Sequence, residues 1–146
     1  MSSTYNIRQK SLDELLVQMG VVSKEEAQLA AERAAEEDGN VAAVLVAERL
    51  ISEESLAEAV CGRLSLPFIR IAQCHIDPKN LHLLPYEFQS ANHFIIVDHF
   101  EGIIVVATCG VLSSDVVTEI ENRTGCQAQV FVATVEDVRI ALEQAA

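Results

Sequence analysis

Positive charge is scarce in this chain of 146 residues: 10 Lys and Arg stand against 22 Asp and Glu, a net charge of -12. The deficit is spread along the chain, since residues 1–66 hold 6 basic and 12 acidic side chains and the remainder 4 and 10. No basic arm or stripe is left to neutralise phosphates, which argues against general binding to nucleic acid or to anionic membrane surfaces. Long apolar runs are also missing. None approaches the roughly 18 residues of a membrane-spanning helix, and Met1-Ser2-Ser3-Thr4-Tyr5 lacks the basic and apolar regions of a signal peptide. A cytoplasmic protein without direct membrane insertion is the expectation.

Glycines are few and dispersed, at positions 20, 39, 62, 102, 110 and 125, and none opens a G-x-x-x-x-G-K-[ST] loop. Nucleotide hydrolysis by that route is therefore excluded. Cys61, Cys74, Cys109 and Cys126 have no C-x-x-C spacing and adjoin apolar or small residues, as reduced, buried thiols would. His75, His82, His93 and His99 with Cys74 show no zinc-finger spacing, so no metal and no other cofactor is expected. Cys109, in Ala107-Thr108-Cys109-Gly110-Val111, reads as a packed residue on a strand leaving a sheet rather than as a nucleophile. Glu25-Glu26 and Glu53-Glu54 open helices, where carboxylates complement the positive end of the dipole without any catalytic role. The chain is not expected to be an enzyme.

What the chain does contain is a repeat. Leu16-Val17 and Leu45-Val46, followed by Val22-Ser23-Lys24-Glu25 and Ile51-Ser52-Glu53-Glu54, recur at an offset of 29 residues. The same offset sets Leu12 on Val41, Ala27 on Leu56 and Ala31 on Val60. Apolar positions agree while polar ones drift, the signature of a duplicated fold. Ser11-Leu12-Asp13-Glu14 has the form of a capping box, predicting a helix to about Met19 that stops at Gly20. Ser23, with Glu26 three residues on, caps a second helix that ends in Glu36-Glu37-Asp38-Gly39. Asn40 and Ser52 cap a third and fourth. Two hairpins result, each with an apolar face too small to stand alone, so the copies should pack on one another.

From Phe68 the periodicity changes. Phe68-Ile69-Arg70-Ile71 is strand-like, Asp77-Pro78 is a cap with a first-turn proline, and Leu81, Leu83 and Leu84 lead to Pro85. Phe94-Ile95-Ile96-Val97 and Ile103-Ile104-Val105-Val106 flank Glu101-Gly102, a hairpin signal. A helix over 114–124 closed by Gly125, a short run Val130-Phe131-Val132 and a last helix over 134–144 follow. The expected fold class is α+β: an N-terminal arm (1–10), a tandem helical-hairpin repeat (11–66, with copies 11–34 and 40–63) and a small α+β subdomain with a short mixed sheet (67–146).

Both copies resemble the motif R-L-G-x-x-L-x-x-x-G-x-L-x-x-x-x-L-x-x-x-L-x-x-Q, two of which, five residues apart, open the MshEN-type N-terminal domain of type II secretion and type IV pilus assembly ATPases. The resemblance continues through Leu66-Pro67-Phe68, Asp77-Pro78, Leu84-Pro85, Val105-Val106-Ala107 and Val135-Glu136-Asp137-Val138, and so covers residues 8 to 146. It implies a regulatory domain that in the family is linked to a hexameric ATPase. Some members bind cyclic di-GMP through the two motifs, and others dock a cytoplasmic segment of the inner-membrane platform. For this chain it implies a stand-alone regulatory or adaptor module whose partner is a secretion, pilus or motility protein.

Matched one at a time, the ligand positions are mostly substituted. The leading Arg falls on Ser11 and Asn40, the first Gly on Asp13 and Ala42, the second on Gly20 and Arg49, and the closing Gln on Ala34 and Arg63. Neither Ser11 nor Asn40 reproduces the planar fork of Arg, and Asp13 adds negative charge where a dianion would lie. Leu12, Leu16, Val41 and Leu45 survive, but they also hold the hairpins together. Loss of cyclic di-GMP binding is the expectation; a degenerate receptor that uses Arg8, Lys10, Arg33, Arg49 and Arg63 is the alternative. If the repeat is read correctly, Leu16→Ala and Leu45→Ala should each cost about 2–5 kcal/mol in denaturant unfolding. A neutral result at either would mean the duplication is misaligned.

Overall fold

The computed structural model describes residues 12–36, 41–110 and 112–145, the side chains of Leu12 and Asp13 excepted. Four helices come first: α1 (Leu12–Gln18), α2 (Lys24–Glu36), α3 (Val41–Ala47) and α4 (Glu53–Leu64). A 3-10 turn (Ile71–Gln73) and short helices α5 (Pro78–Leu81) and α6 (Tyr86–Ala91) lead into β1 (Phe94–Phe100) and β2 (Ile103–Thr108). Then come α7 (Ser114–Thr124), β3 (Gln127–Val132) and α8 (Val135–Ala145). The fold is α+β, helices followed by a small mixed sheet in the order β1-β2-β3, with β1 antiparallel and β3 parallel to β2.

The 29-residue offset is written into the backbone hydrogen bonds. Gly20 N–H donates to the Val17 carbonyl (3.0 Å) and Val21 N–H to Leu16 (3.0 Å). One repeat later Arg49 N–H donates to Val46 (3.1 Å) and Leu50 N–H to Leu45 (2.9 Å). Both helices thus end through a residue in the left-handed conformation, Gly20 at φ 73° and Arg49 at φ 60°. The second helix of each copy also starts alike: Ser23 Oγ accepts from Glu26 N–H (3.1 Å), and Ser52 Oγ from Ser55 N–H (3.1 Å). Only the first copy completes the capping box, with Ser23 N–H donating to Glu26 Oε1 (2.9 Å). The expected boxes and caps at Ser11 and Asn40 lie outside the described residues.

Two apolar clusters flank the sheet. Leu16, Leu45, Leu56 and Val60, from both copies, share one cluster with Ile95, Val105, Ala107, Val138 and Leu142. Phe94, Ile96, Ile104, Val106 and Val130 pack on the other face with Leu84, Val117 and Ile120. The period-2 alternation of β1 and β2 therefore sends side chains to two cores, and the first core crosses the boundary at residue 66 without interruption. The β1–β2 turn has both central residues at positive φ, Glu101 at 42° and Gly102 at 82°, as a tight hairpin requires.

The strand expected over Phe68–Ile71 is reduced to a single bridge between Phe68 and Val132. Val132 N–H donates to Pro67 and Ile69 N–H to Val132 (2.8 Å each), after which Asp137 Oδ2 accepts from Arg70 Nε (3.2 Å) and Ala72 N–H (3.4 Å) and turns the chain away. Helix α6 was not foreseen. Its six residues are too few to show a period, and it is held by Gln89, 1% exposed, whose Nε2 donates to Leu81 (2.9 Å) and Leu84 (3.1 Å) and whose Oε1 accepts from Ile96 N–H (3.2 Å). The cysteines are free, but only Cys109 is buried; the other three are half-buried because they lie at element ends or on outer helix faces.

A Cβ at Gly20 would meet nothing within 4 Å, so only its backbone angle resists substitution. Gly20→Ala should therefore cost about 1 kcal/mol, whereas Arg49→Gly should be neutral or stabilising by up to about 1 kcal/mol. Equal losses for both in thermal or denaturant melts would contradict the shared left-handed ending.

Candidate functional site

The residues matched to ligand positions are divided between surface and core. Ser11 and Asn40 lie outside the described residues, and Leu12 and Asp13 form the first turn of α1. Val41 is half-buried at the start of α3, and Ala42 is fully buried in the first cluster, so its methyl is a core group. Gly20 and Arg49 occupy equivalent exposed helix ends. Ala34 is buried on α2, while Arg63 is exposed in the last turn of α4. Of the basic residues, Arg8 and Lys10 lie outside the described residues, and Arg33, Arg49 and Arg63 do not share one environment. Arg33 Nη1 pairs with Glu48 Oε2 at 2.6 Å, joining α2 to the end of α3, whereas Arg49 and Arg63 make no ion pair among the described residues.

The two copies have also diverged in what covers them. In the first, a groove of about 740 Å³ opens between α1 and α2, lined by Val17, Ala27, Ala31 and Ala35 together with Lys24 and Glu32. In the second, Val60, the match of the half-buried Ala31, is fully buried, because α4 faces the sheet. The open groove offers small apolar side chains and charges of both signs.

At the junction, sequence reasoning missed a residue. Glu53 Oε1 accepts from Val135 N–H (2.8 Å) and Oε2 from Glu136 N–H (3.0 Å), so a carboxylate on α4 caps α8 across 82 residues of chain. Thr134 Oγ1 accepts from Asp137 N–H (3.0 Å), which satisfies the next amide of that helix. The signal was present: the first copy has Lys24 where the second has Glu53, a change of sign inside a conserved hairpin pattern. Beside it, burial pushes the Cys109 thiol up to about 12, helped by the Glu53 charge. Such a shift favours the protonated thiol, the less nucleophilic form. Among the described residues, no group of three or more His, Cys, Asp or Glu side chains could hold a metal ion, and no helix is long and apolar enough to cross a membrane.

Comparison with known proteins gives three results. The family profile described as MshEN domain matches residues 64–146. Type IV pilus assembly ATPase PilB of Thermus thermophilus is 31% identical over 134 residues, 90% of this chain, and PilB of Myxococcus xanthus is 23% identical over 133 residues, 91% of it. The chain spans 15% and 24% of the length of those relatives. The structure of MshE with cdg aligns over 94% of this chain and 100% of its own, with a TM-score of 0.64 at 19% identity. An N-terminal domain of XpsE aligns over 94% and 97%, with a TM-score of 0.67 at 17% identity. At these identities the structural likeness establishes the fold. Replacing Glu53 by Ala should leave the part-buried Val135 amide without its acceptor while water takes over at the exposed Glu136 amide, and cost about 1–2 kcal/mol, with Gln costing less because one oxygen remains. Unfolding melts check this, and an unchanged midpoint would refute the cap.

Proposed function

The chain belongs to the MshEN domain family, and on that premise we propose that it is a non-catalytic regulatory or adaptor module that acts by docking a protein partner of a secretion or pilus assembly system. The observation that carries this reading is the split between what the repeat keeps and what it has exchanged. The backbone bonds that end the first helix of each hairpin recur at the 29-residue offset, while one Gly position holds the buried methyl of Ala42 and another holds Arg49. A scaffold preserved to its hydrogen bonds, with altered polar positions, suits a surface read by another protein. On this reading the module works in the cytoplasm.

A second reading, a cyclic di-GMP receptor of altered recognition, is favoured by one observation, the likeness to MshE with cdg across nearly the whole chain. Arg49 and Arg63, exposed and without ion-pair partners among the described residues, would be its cationic groups. Calorimetry separates the two readings. Titration of the purified protein with cyclic di-GMP, with ATP and GTP as controls, should give no heat at high protein concentration. Micromolar or tighter binding selective for cyclic di-GMP, lost on Arg49→Ala or Arg63→Ala, would overturn the adaptor reading in favour of the receptor.

A further inference from the structure

On the side of the sheet that carries α8, a cleft of about 410 Å³ lies between the 3-10 turn, α5 and α8. Its lining mixes aliphatic side chains, Ile71, Ile76, Leu81 and Ile140 among them, with the polar groups of Cys74 and Gln144, and the one carboxylate in it is that of Asp137. The Asp137 side chain is only 5% exposed. Oδ2 receives Arg70 Nε at 3.2 Å and Ala72 N–H at 3.4 Å, both longer than the roughly 2.7–2.9 Å of strong charge-assisted bonds, and Oδ1 has no partner among the described residues. An ionised carboxylate accepts about four hydrogen bonds, and a buried one is seldom left so poorly satisfied. Arg70 does not complete it, since its side chain is half-exposed and meets one oxygen through one nitrogen.

A carboxylate oxygen with no partner among the described residues, set in a cleft whose aliphatic side chains adjoin polar ones, on a chain with 22 acidic and 10 basic side chains, calls for a cationic donor on an aliphatic stem. We infer that this cleft is a docking site for a lysine or arginine side chain presented by an apolar segment of the protein partner. The stem packs on Ile71, Leu81 and Ile140 while the head donates to Asp137 Oδ1. The inference rests on the adaptor reading and names the chemistry of its partner. Ile140, 38% exposed, is the residue through which the cleft can be altered without disturbing the core.

The test is a nitrogen-15 amide NMR titration of the full chain with a short capped peptide carrying one lysine between leucines. The same peptide with norleucine, or with glutamate, in place of the lysine serves as control. The lysine peptide should shift the amides of Ala72, Cys74, Ile140 and Ala141, and the controls should bind at least about tenfold more weakly. Ile140→Lys, which brings a competing cation to the cleft, should weaken the lysine peptide by a similar factor. Asp137→Asn should do so too if the variant keeps the folded spectrum. Equal binding of the three peptides, shifts elsewhere, or indifference to Ile140→Lys would overturn the inference. The adaptor reading is judged separately, by co-purification with a secretion or pilus component. Capture that Ile140→Lys leaves intact sinks the cleft and keeps the adaptor, whereas no capture together with silent peptides sinks both.

Discussion

The carboxylate of Glu53 joined to the first amides of α8 is the contact on which the rest of this architecture depends. Helix starts expose amides that must find acceptors, and α8 leads from the sheet back across the helical repeat. A local cap would satisfy the helix but would not give the largely apolar, non-directional contact between the two halves this directional bond. Taking the acceptor from α4 fixes the distance and rotation between repeat and sheet. With Val138 and Leu142 in the same cluster as Leu45 and Val60, the tie converts two small apolar faces into one core.

Duplication followed by divergence explains why that arrangement was open to the second copy. A hairpin of two helices cannot bury its own stripe, so each copy needs a neighbour. The first copy uses the second. The second uses the sheet as well, and Lys24 and Glu53, equivalent by position, mark the parting: one remains on the surface while the other is enlisted as a cap. The groove that stays open between α1 and α2 and the cleft beside Asp137 therefore belong to different halves of one body.

Much of this was legible in the chain because it depended on local rules. The offset of 29 residues, the caps at Ser23, Ser52 and Asp77, the Glu101-Gly102 turn and the helix over 114–124 closed by Gly125 at φ 68° all follow from short-range chemistry. What escaped depends on contacts far apart in sequence. Glu53 looked like an ordinary first-turn carboxylate, Asp137 gave no sign of turning the chain at Arg70, and Gln89 resembled any helical polar residue until it was found bonding three backbone groups. The strand anticipated at Phe68–Ile71 has the right residues and is cut short by a carboxylate more than sixty positions away. Among the ligand positions, the sequence could show which residues were exchanged; that Ala42 is a core methyl needed the packing.

The central claim is that repeat and sheet form one cooperative body tied at Glu53, and native-state hydrogen exchange of the wild-type chain tests it most directly. The account predicts that the Val135 and Glu136 amides, together with the central amides of α3 and α4, exchange only through global unfolding and share one free energy of opening. Release of α8 in a separate, lower-energy opening, with the repeat still protected, would contradict it and leave the two halves as independent units.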